Sequence, residues 1–87
     1  MYYVYVIYNK KHKKIYIGQC ENISIRLDQH NSKFFPNCYT ARFNGNWELI
    51  HQEEYDTRIE VLKREKQLKS YRGREFLKTK YSAIAQW

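Results

Sequence analysis

Two apolar runs joined by a short polar segment constrain the fold of this chain more than any other feature. The runs are residues 2–8 and 15–18, and the charged segment 9–13 lies between them. β-Branched and aromatic residues on either side of a few turn-forming residues are typical of a β-hairpin. The first strand should be central in its sheet, because it is apolar at nearly every position. Gly18 has no Cβ, so another group can approach the second strand closely there.

The remaining chain predicts an α+β fold with the element order β-β-α-β-α-α. Asn22 is the expected N-cap of a first helix that ends near residues 31–32. Residues 47–55 alternate like a third strand, with Trp47, Leu49 and His51 on one face. Eighty-seven residues without repeats or linkers make one domain, residues 1–87.

Two further helices are expected in the last third of the chain. Thr57 and Glu60 form a capping box for a helix that should run to about Tyr71. Gly73 is expected just beyond the end of that helix. A last helix should span residues 74–85, and its inward face should carry Leu77, Tyr81 and Ile84.

The composition narrows the function. Sixteen basic residues against nine acidic ones give a net charge of +7, which favours a polyanionic partner such as nucleic acid. No segment has the length of a membrane span, and no lipidation signal or signal peptide is present, so we expect a cytoplasmic protein that binds no membrane. Cys20 and Cys38 should be free thiols. Their spacing from His30 and His51 matches no zinc pattern.

The first helix carries two polar residues on its apolar stripe. Ile23, Arg26, Leu27 and His30 follow the i, i+3, i+4, i+7 spacing of one helix face. Either the helix directs a guanidinium and an imidazole toward the hairpin, or both side chains reach outward from the edge of the stripe.

A carboxylate stands on the stripe of the next helix in the same way. Glu65 shares that stripe with Val61, Leu62 and Leu68. The alternative is a surface ion pair with Lys69, one helical turn further on.

The long connector 31–46 and the last helix supply the expected contacts with nucleic acid. Basic residues interleaved with aromatic ones suit phosphate contacts and base stacking, although phenylalanines in the connector could instead cover the core. A solvated charged face is the alternative for the last helix. The predicted nucleic-acid-binding residues are Lys33, Thr40, Arg42, Arg72, Arg74, Lys78 and Lys80.

Together with two strand phenols, the misplaced polar residues form a set suited to phosphodiester hydrolysis. Glu65 offers a carboxylate for a divalent metal, and Arg26 offers a charge for phosphate. Tyr5, Tyr16 and His30 offer groups for proton transfer. We predict that both tyrosines share one face of the sheet, as they would if Tyr5 lay directly opposite Tyr16.

The sequence resembles the GIY-YIG endonuclease family, in particular its small stand-alone members. The first motif of the family stands here as Tyr3-Val4-Tyr5, and the second stands intact as Tyr16-Ile17-Gly18. Further matches extend over nearly the whole chain. They are Arg26-x-x-x-His30, Trp47-Glu48-Leu49, residues 60–65, Leu68-Lys69-Ser70 and Gly73-Arg74-Glu75-Phe76.

The resemblance implies a three-stranded antiparallel sheet flanked by helices, and hydrolysis of nucleic acid with one Mg²⁺ or Mn²⁺. Carried over by position, Glu65 holds the metal and Arg26 stabilises the attacked phosphate. Tyr16 is the implied general base, while Tyr5 and His30 position or relay the proton. DNA is favoured over RNA as the substrate.

This chain departs from the family in two places. Tyr3 replaces the first motif glycine, and no asparagine follows Asn46, although many members carry one near the end of the domain. Two other functions therefore remain open. The chain could be a basic nucleic-acid-binding module with a weak or inactive site, or a helper that docks a repair or recombination protein.

Overall fold

The computed structural model describes residues 1–87 and has the predicted element order. The strands are β1 (Tyr2–Asn9), β2 (Lys14–Cys20) and β3 (Trp47–Tyr55), and the helices are α1 (Ile23–Asn31), α2 (Arg58–Lys69) and α3 (Tyr71–Tyr81). A short 3₁₀ helix, Tyr39–Arg42, interrupts the connector between α1 and β3. The α+β class and the antiparallel three-stranded sheet are confirmed.

The strand order is β2-β1-β3, so β1 is the central strand as predicted. The register of the hairpin differs by two residues from one that places Tyr5 opposite Tyr16, because Tyr5 lies opposite Gly18 and Tyr16 lies opposite Ile7. An even shift leaves each side chain on its original face, since side chains alternate with a period of two. The two phenols therefore share a face, as predicted, in diagonal positions.

A β-bulge in β3 changes which face its second half presents. Val6 pairs with His51 and Ile7 pairs with Leu49, so Ile50 is the extra residue. Such a bulge places one strand residue out of alternation. The predicted common face of Trp47, Leu49 and His51 is therefore wrong, because His51 lies on the face opposite to the other two.

Each face of the sheet is covered by its own apolar cluster. On one face Tyr5, Ile7, Cys20 and Trp47 pack with α1 and the connector. On the other face a larger cluster joins the sheet to α2 and α3; its buried members are Val4, Val6, Tyr8, Ile15, Ile17, Val61, Leu68, Leu77 and Ala85. Burial on both faces is what the nearly continuous apolar sequence of β1 requires.

The helix boundaries correct two expectations about the last third of the chain. Helix α2 ends at Lys69, and Ser70 caps α3 by accepting a hydrogen bond from the Gly73 amide at 3.2 Å. Gly73 thus lies in the first turn of α3, where a Cβ would overlap the backbone of Gln67 and Leu68. Leu62 and Ile84, both expected on inward faces, are exposed.

Side-chain hydrogen bonds hold the long connector in place. The buried amide of Asn9 donates to the Asn44 carbonyl, and Asn31 bonds both backbone groups of Trp47. His12 reaches the Asn44 side chain from the hairpin loop. These contacts fix the connector against the sheet. None of the helices combines the length and the apolar content that a membrane crossing would need.

Candidate active site

A buried chain of hydrogen bonds links β1, α1 and the connector. The Tyr5 hydroxyl lies 2.8 Å from His30 Nε2, and His30 Nδ1 lies 2.8 Å from Thr40 Oγ1. Tyr5, His30 and Thr40 are each 3% exposed or less. The burial of His30 excludes an imidazole that reaches outward from the edge of the stripe, whereas Arg26 is only half-buried.

Gly18 makes room for both phenols. A Cβ on this residue would lie 2.6 Å from the Tyr5 hydroxyl and 3.0 Å from the Tyr16 ring. The Tyr5 ring crosses β2 where that Cβ would be, because the two residues are direct cross-strand partners. The glycine of the second motif therefore has a local physical cause, which is the close approach of two aromatic rings.

Tyr16 is half-buried beside Tyr5 and His30. Its ring centre lies 6.3 Å from that of Tyr5 and 5.1 Å from that of His30. Burial, followed by the neighbouring Cys38 and the charge of Glu65, raises the pKa of Tyr16 to about 12. The phenol is therefore protonated near neutral pH in the free protein.

Arg26 supplies the positive charge of the site. Its guanidinium lies 5.3 Å from the ring centre of Phe35, which is a cation–π contact. The charge of Arg26 acts to lower the pKa values of both Tyr5 and Tyr16, although burial outweighs it and raises both. The guanidinium is thus close enough to influence the hydroxyls of Tyr5 and Tyr16.

His30 is neutral near pH 7 in this setting. Burial first, and then the charge of Arg26, lowers the pKa of the imidazole. Both of its partners are hydroxyl groups, and a hydroxyl can donate or accept. Either tautomer of His30 therefore satisfies both hydrogen bonds.

Glu65 brings one carboxylate to the edge of β2. Its side chain is 19% exposed and lies 3.4 Å from the Lys69 ammonium, so the predicted surface pair is present. Glu65 also acts on Tyr16, since its charge contributes to the raised pKa of that phenol. The surface pair is therefore confirmed, and the metal-binding role of Glu65 stays a prediction. A lone carboxylate oxygen pair suits a Mg²⁺ ion that keeps most of its waters.

No set of three His, Cys, Asp or Glu side chains meets in a way that would hold a metal by itself. Any cation at Glu65 would therefore depend on water and substrate oxygens for the rest of its ligands.

The predicted nucleic-acid contacts divide between several places. Thr40 is a correction: it is 1% exposed and bonded to His30, so its hydroxyl supports the imidazole and is not accessible to a phosphate. Lys33 is exposed, and its ammonium donates to the Phe43 carbonyl at 3.3 Å. Lys80 lies over the ring of Phe76, beside His51. The other members, Arg42, Arg72, Arg74 and Lys78, are exposed.

Sequence reasoning missed two neighbours of Tyr16. The Tyr39 ring lies nearly parallel to that of Tyr16, with 6.5 Å between centres and an 18° interplanar angle. The Cys38 thiol precedes it at the start of the 3₁₀ helix. Neither residue lies on a periodic stripe, so only the folded path of the connector brings them to the site.

A second polar cluster lies on the opposite face of the sheet. His51 Nε2 lies 2.7 Å from Glu53 and His51 Nδ1 lies 2.5 Å from the Tyr81 hydroxyl. Glu53 also accepts bonds from Tyr55 and, through both oxygens, from Arg64. Burial acts to raise the pKa of Glu53, but the bonds from Arg64, Tyr55 and His51 outweigh it and lower the pKa to about 2.

Comparison with known proteins agrees with the sequence motifs. The family model described as the GIY-YIG catalytic domain matches residues 1–81. A UPF0213 protein of Staphylococcus saprophyticus is 29% identical over 77 residues, which cover 88% of this chain and 90% of that protein. A UPF0213 protein of Staphylococcus epidermidis is 31% identical over 64 residues, covering 74% and 76% respectively. No solved structure matches the chain.

Proposed function

Because this chain belongs to the GIY-YIG family, we propose that it is a metal-dependent endonuclease that hydrolyses phosphodiester bonds, in DNA rather than RNA. The observation that carries the proposal is the convergence of Tyr5, Tyr16, Arg26 and His30 on one face of the hairpin, with Glu65 beside them. A single domain over residues 1–87 holds every member of this set.

Arg26 binds and stabilises the attacked phosphate in this proposal. Its guanidinium is held over Phe35, so the fork of donors is oriented before substrate arrives. A preorganised positive charge in a partly water-excluded site lowers the energy of the extra negative charge that develops during attack.

Tyr5, His30 and Thr40 position and relay a proton. His30 can pass a proton between two hydroxyls, because it accepts at one nitrogen while it donates at the other. Thr40 holds the ring so that Nε2 faces Tyr5. This buried chain keeps the Tyr5 hydroxyl oriented without a full charge inside the core.

Tyr16 is the proposed general base that accepts a proton from the attacking water. A phenol with a pKa of about 12 holds its proton at neutral pH, so Tyr16 first donates a hydrogen bond to the water or to the phosphate. Cationic charge brought by the substrate complex would lower this pKa. The role of Tyr16 as base thus depends on the assembled complex.

The residue that would hold a Mg²⁺ or Mn²⁺ ion is Glu65. When bound, such an ion supplies Lewis-acid charge at the phosphoryl and leaving oxygens.

Substitution of Glu65 by glutamine tests the proposal. Glu65→Gln keeps the volume and removes the charge, so the protein should fold and cleavage should fall by at least about 10²-fold. Glu48→Gln, at an exposed position of β3, is the matched control and should cut at the wild-type rate. The assay uses structured DNA and RNA substrates with Mg²⁺ or Mn²⁺. Wild-type cutting by Glu65→Gln would contradict the mechanism.

A second candidate function is nucleic-acid binding by a protein whose nuclease site is weak or inactive and which acts together with a repair or recombination protein. The pair between Glu65 and Lys69 favours it, because the ammonium competes for the carboxylate that a cation would need. Binding of nucleic acid by the wild type with no metal-dependent cutting would select this function.

A further inference from the structure

We propose that a basic cleft along the edge of β2 is a binding subsite for one unpaired nucleotide next to the scissile phosphate. The cleft has a volume of about 380 Å³, and residues 15–17 of β2 form its floor. Its other lining residues come from the hairpin, the connector, α2, α3 and the segment after α3. The side chains used in the argument are Lys13, Lys14, Tyr39, Lys69, Arg74 and Trp87.

The charge of the cleft selects an anion. Four of its lining residues are basic and none is acidic. Only Lys69 has an acidic partner, which is Glu65 at 3.4 Å. Lys13 and Lys14 of the hairpin and Arg74 of α3 are exposed, so the fold gathers charge from two distant parts of the chain at one place. Phosphate groups are the anions that such a cluster suits in a basic protein.

The aromatic rings of the cleft select a nucleotide over a bare phosphate. Tyr39 is 38% exposed and lies nearly parallel to Tyr16, and the half-buried ring of Trp87 packs near Tyr8. Aromatic faces beside cations give a base a stacking surface while its phosphate is neutralised. A base in a duplex has both faces covered by its neighbours, so these rings can stack only on an unpaired base.

The position of the cleft links it to the reaction. Tyr16 belongs both to its lining and to the candidate catalytic set. A strand whose phosphate lies at Arg26 and Tyr16 therefore has its adjoining nucleotide at the cleft. The interpretation of the bound nucleotide as part of a substrate rests on the proposed nuclease function. The subsite predicts a preference for single-stranded or flapped nucleic acid.

Binding without cleavage tests the subsite apart from catalysis. The chain has two tryptophans, of which Trp47 is 1% exposed and Trp87 lines the cleft. In EDTA, an oligothymidylate of about eight nucleotides should quench Trp87 emission, since it covers a typical single-strand site. Trp87→Phe should abolish the quenching signal. Quenching that persists in Trp87→Phe would overturn the proposal.

Probes of matched charge separate a nucleotide subsite from a merely basic patch. An abasic oligonucleotide of the same length should bind at least about fivefold more weakly, because it cannot stack. A hairpin duplex and thymidine monophosphate should also bind more weakly than the oligothymidylate. Equal affinity for the abasic strand, the duplex or the mononucleotide would overturn the proposal.

Surface substitutions locate the site. Lys14→Gln and Arg74→Gln should each weaken binding and reduce the slope of log affinity against log salt by about one. Lys63→Gln, on the exposed part of α2, is the control of equal charge and should leave affinity and slope unchanged. Equal losses in all three variants would contradict the subsite. These results are independent of cleavage, so an inactive wild type would overturn the nuclease proposal alone.

Discussion

The two buried histidines of this protein lie on opposite faces of one sheet and have different kinds of partner. His30 forms hydrogen bonds with two hydroxyls, those of Tyr5 and Thr40, and the positive charge of Arg26 lies nearby. His51 bonds the carboxylate of Glu53 and the hydroxyl of Tyr81. Both rings are nearly inaccessible, at 3% and 7% exposure.

This difference in partners fixes what each ring can do. A carboxylate only accepts, so His51 must donate from Nε2 to Glu53 and, when neutral, accept from Tyr81 at Nδ1. His30 has no such constraint, because a hydroxyl can reverse its direction. The hydrogen bonds of His51 have a fixed direction at Nε2, and they belong to a cluster that joins β3, α2 and α3. The hydrogen bonds of His30 can reverse direction, and His30 lies beside an open cleft. We therefore propose that His51 braces the elements around it and that His30 transfers protons.

Removal of one hydroxyl from each cluster gives the sharpest contrast. Tyr5→Phe keeps the ring and loses the bond to His30, so cleavage should fall by roughly 10²- to 10⁴-fold. Tyr81→Phe loses the bond to His51 and should leave the cleavage rate near that of the wild type. Each variant should lose about 1 kcal/mol of unfolding free energy. Rates are measured at a temperature where both variants are folded.

Equal rate losses in these two variants would break the comparison, because they would place His51 in the reaction. A wild-type rate for Tyr5→Phe would remove the proton relay from the mechanism.

The charge of Glu53 gives the next largest effect. Glu53→Gln removes an acceptor shared by Arg64, Tyr55 and His51, so the free energy of unfolding should fall by about 2–3 kcal/mol. Glu54→Gln is the matched control, because this exposed neighbour accepts only from Tyr3. Its loss should stay below about 1 kcal/mol. Urea unfolding monitored by circular dichroism measures both.

Equal losses in Glu53→Gln and Glu54→Gln would contradict the bracing role of the second cluster. Loss of cleavage by folded Glu53→Gln would contradict the separation of the two faces.

Sequence patterns located the strands and the first helix, because residues close together in sequence determine these elements. The span of β3 and the N-cap at Asn22 follow from residues within a few positions of each other. The polar residues of α1 were visible for the same reason, since Arg26 and His30 interrupt an otherwise apolar stripe. An interruption of a periodic pattern is a local signal even when its partner is distant.

The features that the sequence did not reveal depend on distant contacts. The bulge at Ile50 places His51 in the second polar cluster, on the opposite face of the sheet from His30. The alternation of polar and apolar residues in β3 does not indicate this bulge. Thr40 reaches His30 because the connector folds back, so its surface-like sequence context concealed a buried role. Gly73 was predicted to end α2, whereas a glycine is required there because α3 approaches the backbone of Leu68 closely.

Acid unfolding should separate the two clusters, because each should lose its contribution to stability in a different pH range. His30 has a lowered pKa in the folded state, so the unfolded chain binds more protons there. Stability should therefore fall as the pH drops below about 6.5, the usual value for histidine. Glu53 has a folded pKa of about 2 against 4.5, so its contribution is present above pH 4.5 and is lost as the pH falls toward 2. Urea midpoints across this range should show the first loss abolished in His30→Gln and the second abolished in Glu53→Gln. The assignment fails if either variant removes the other window, because each cluster would then titrate through a group on the opposite face of the sheet.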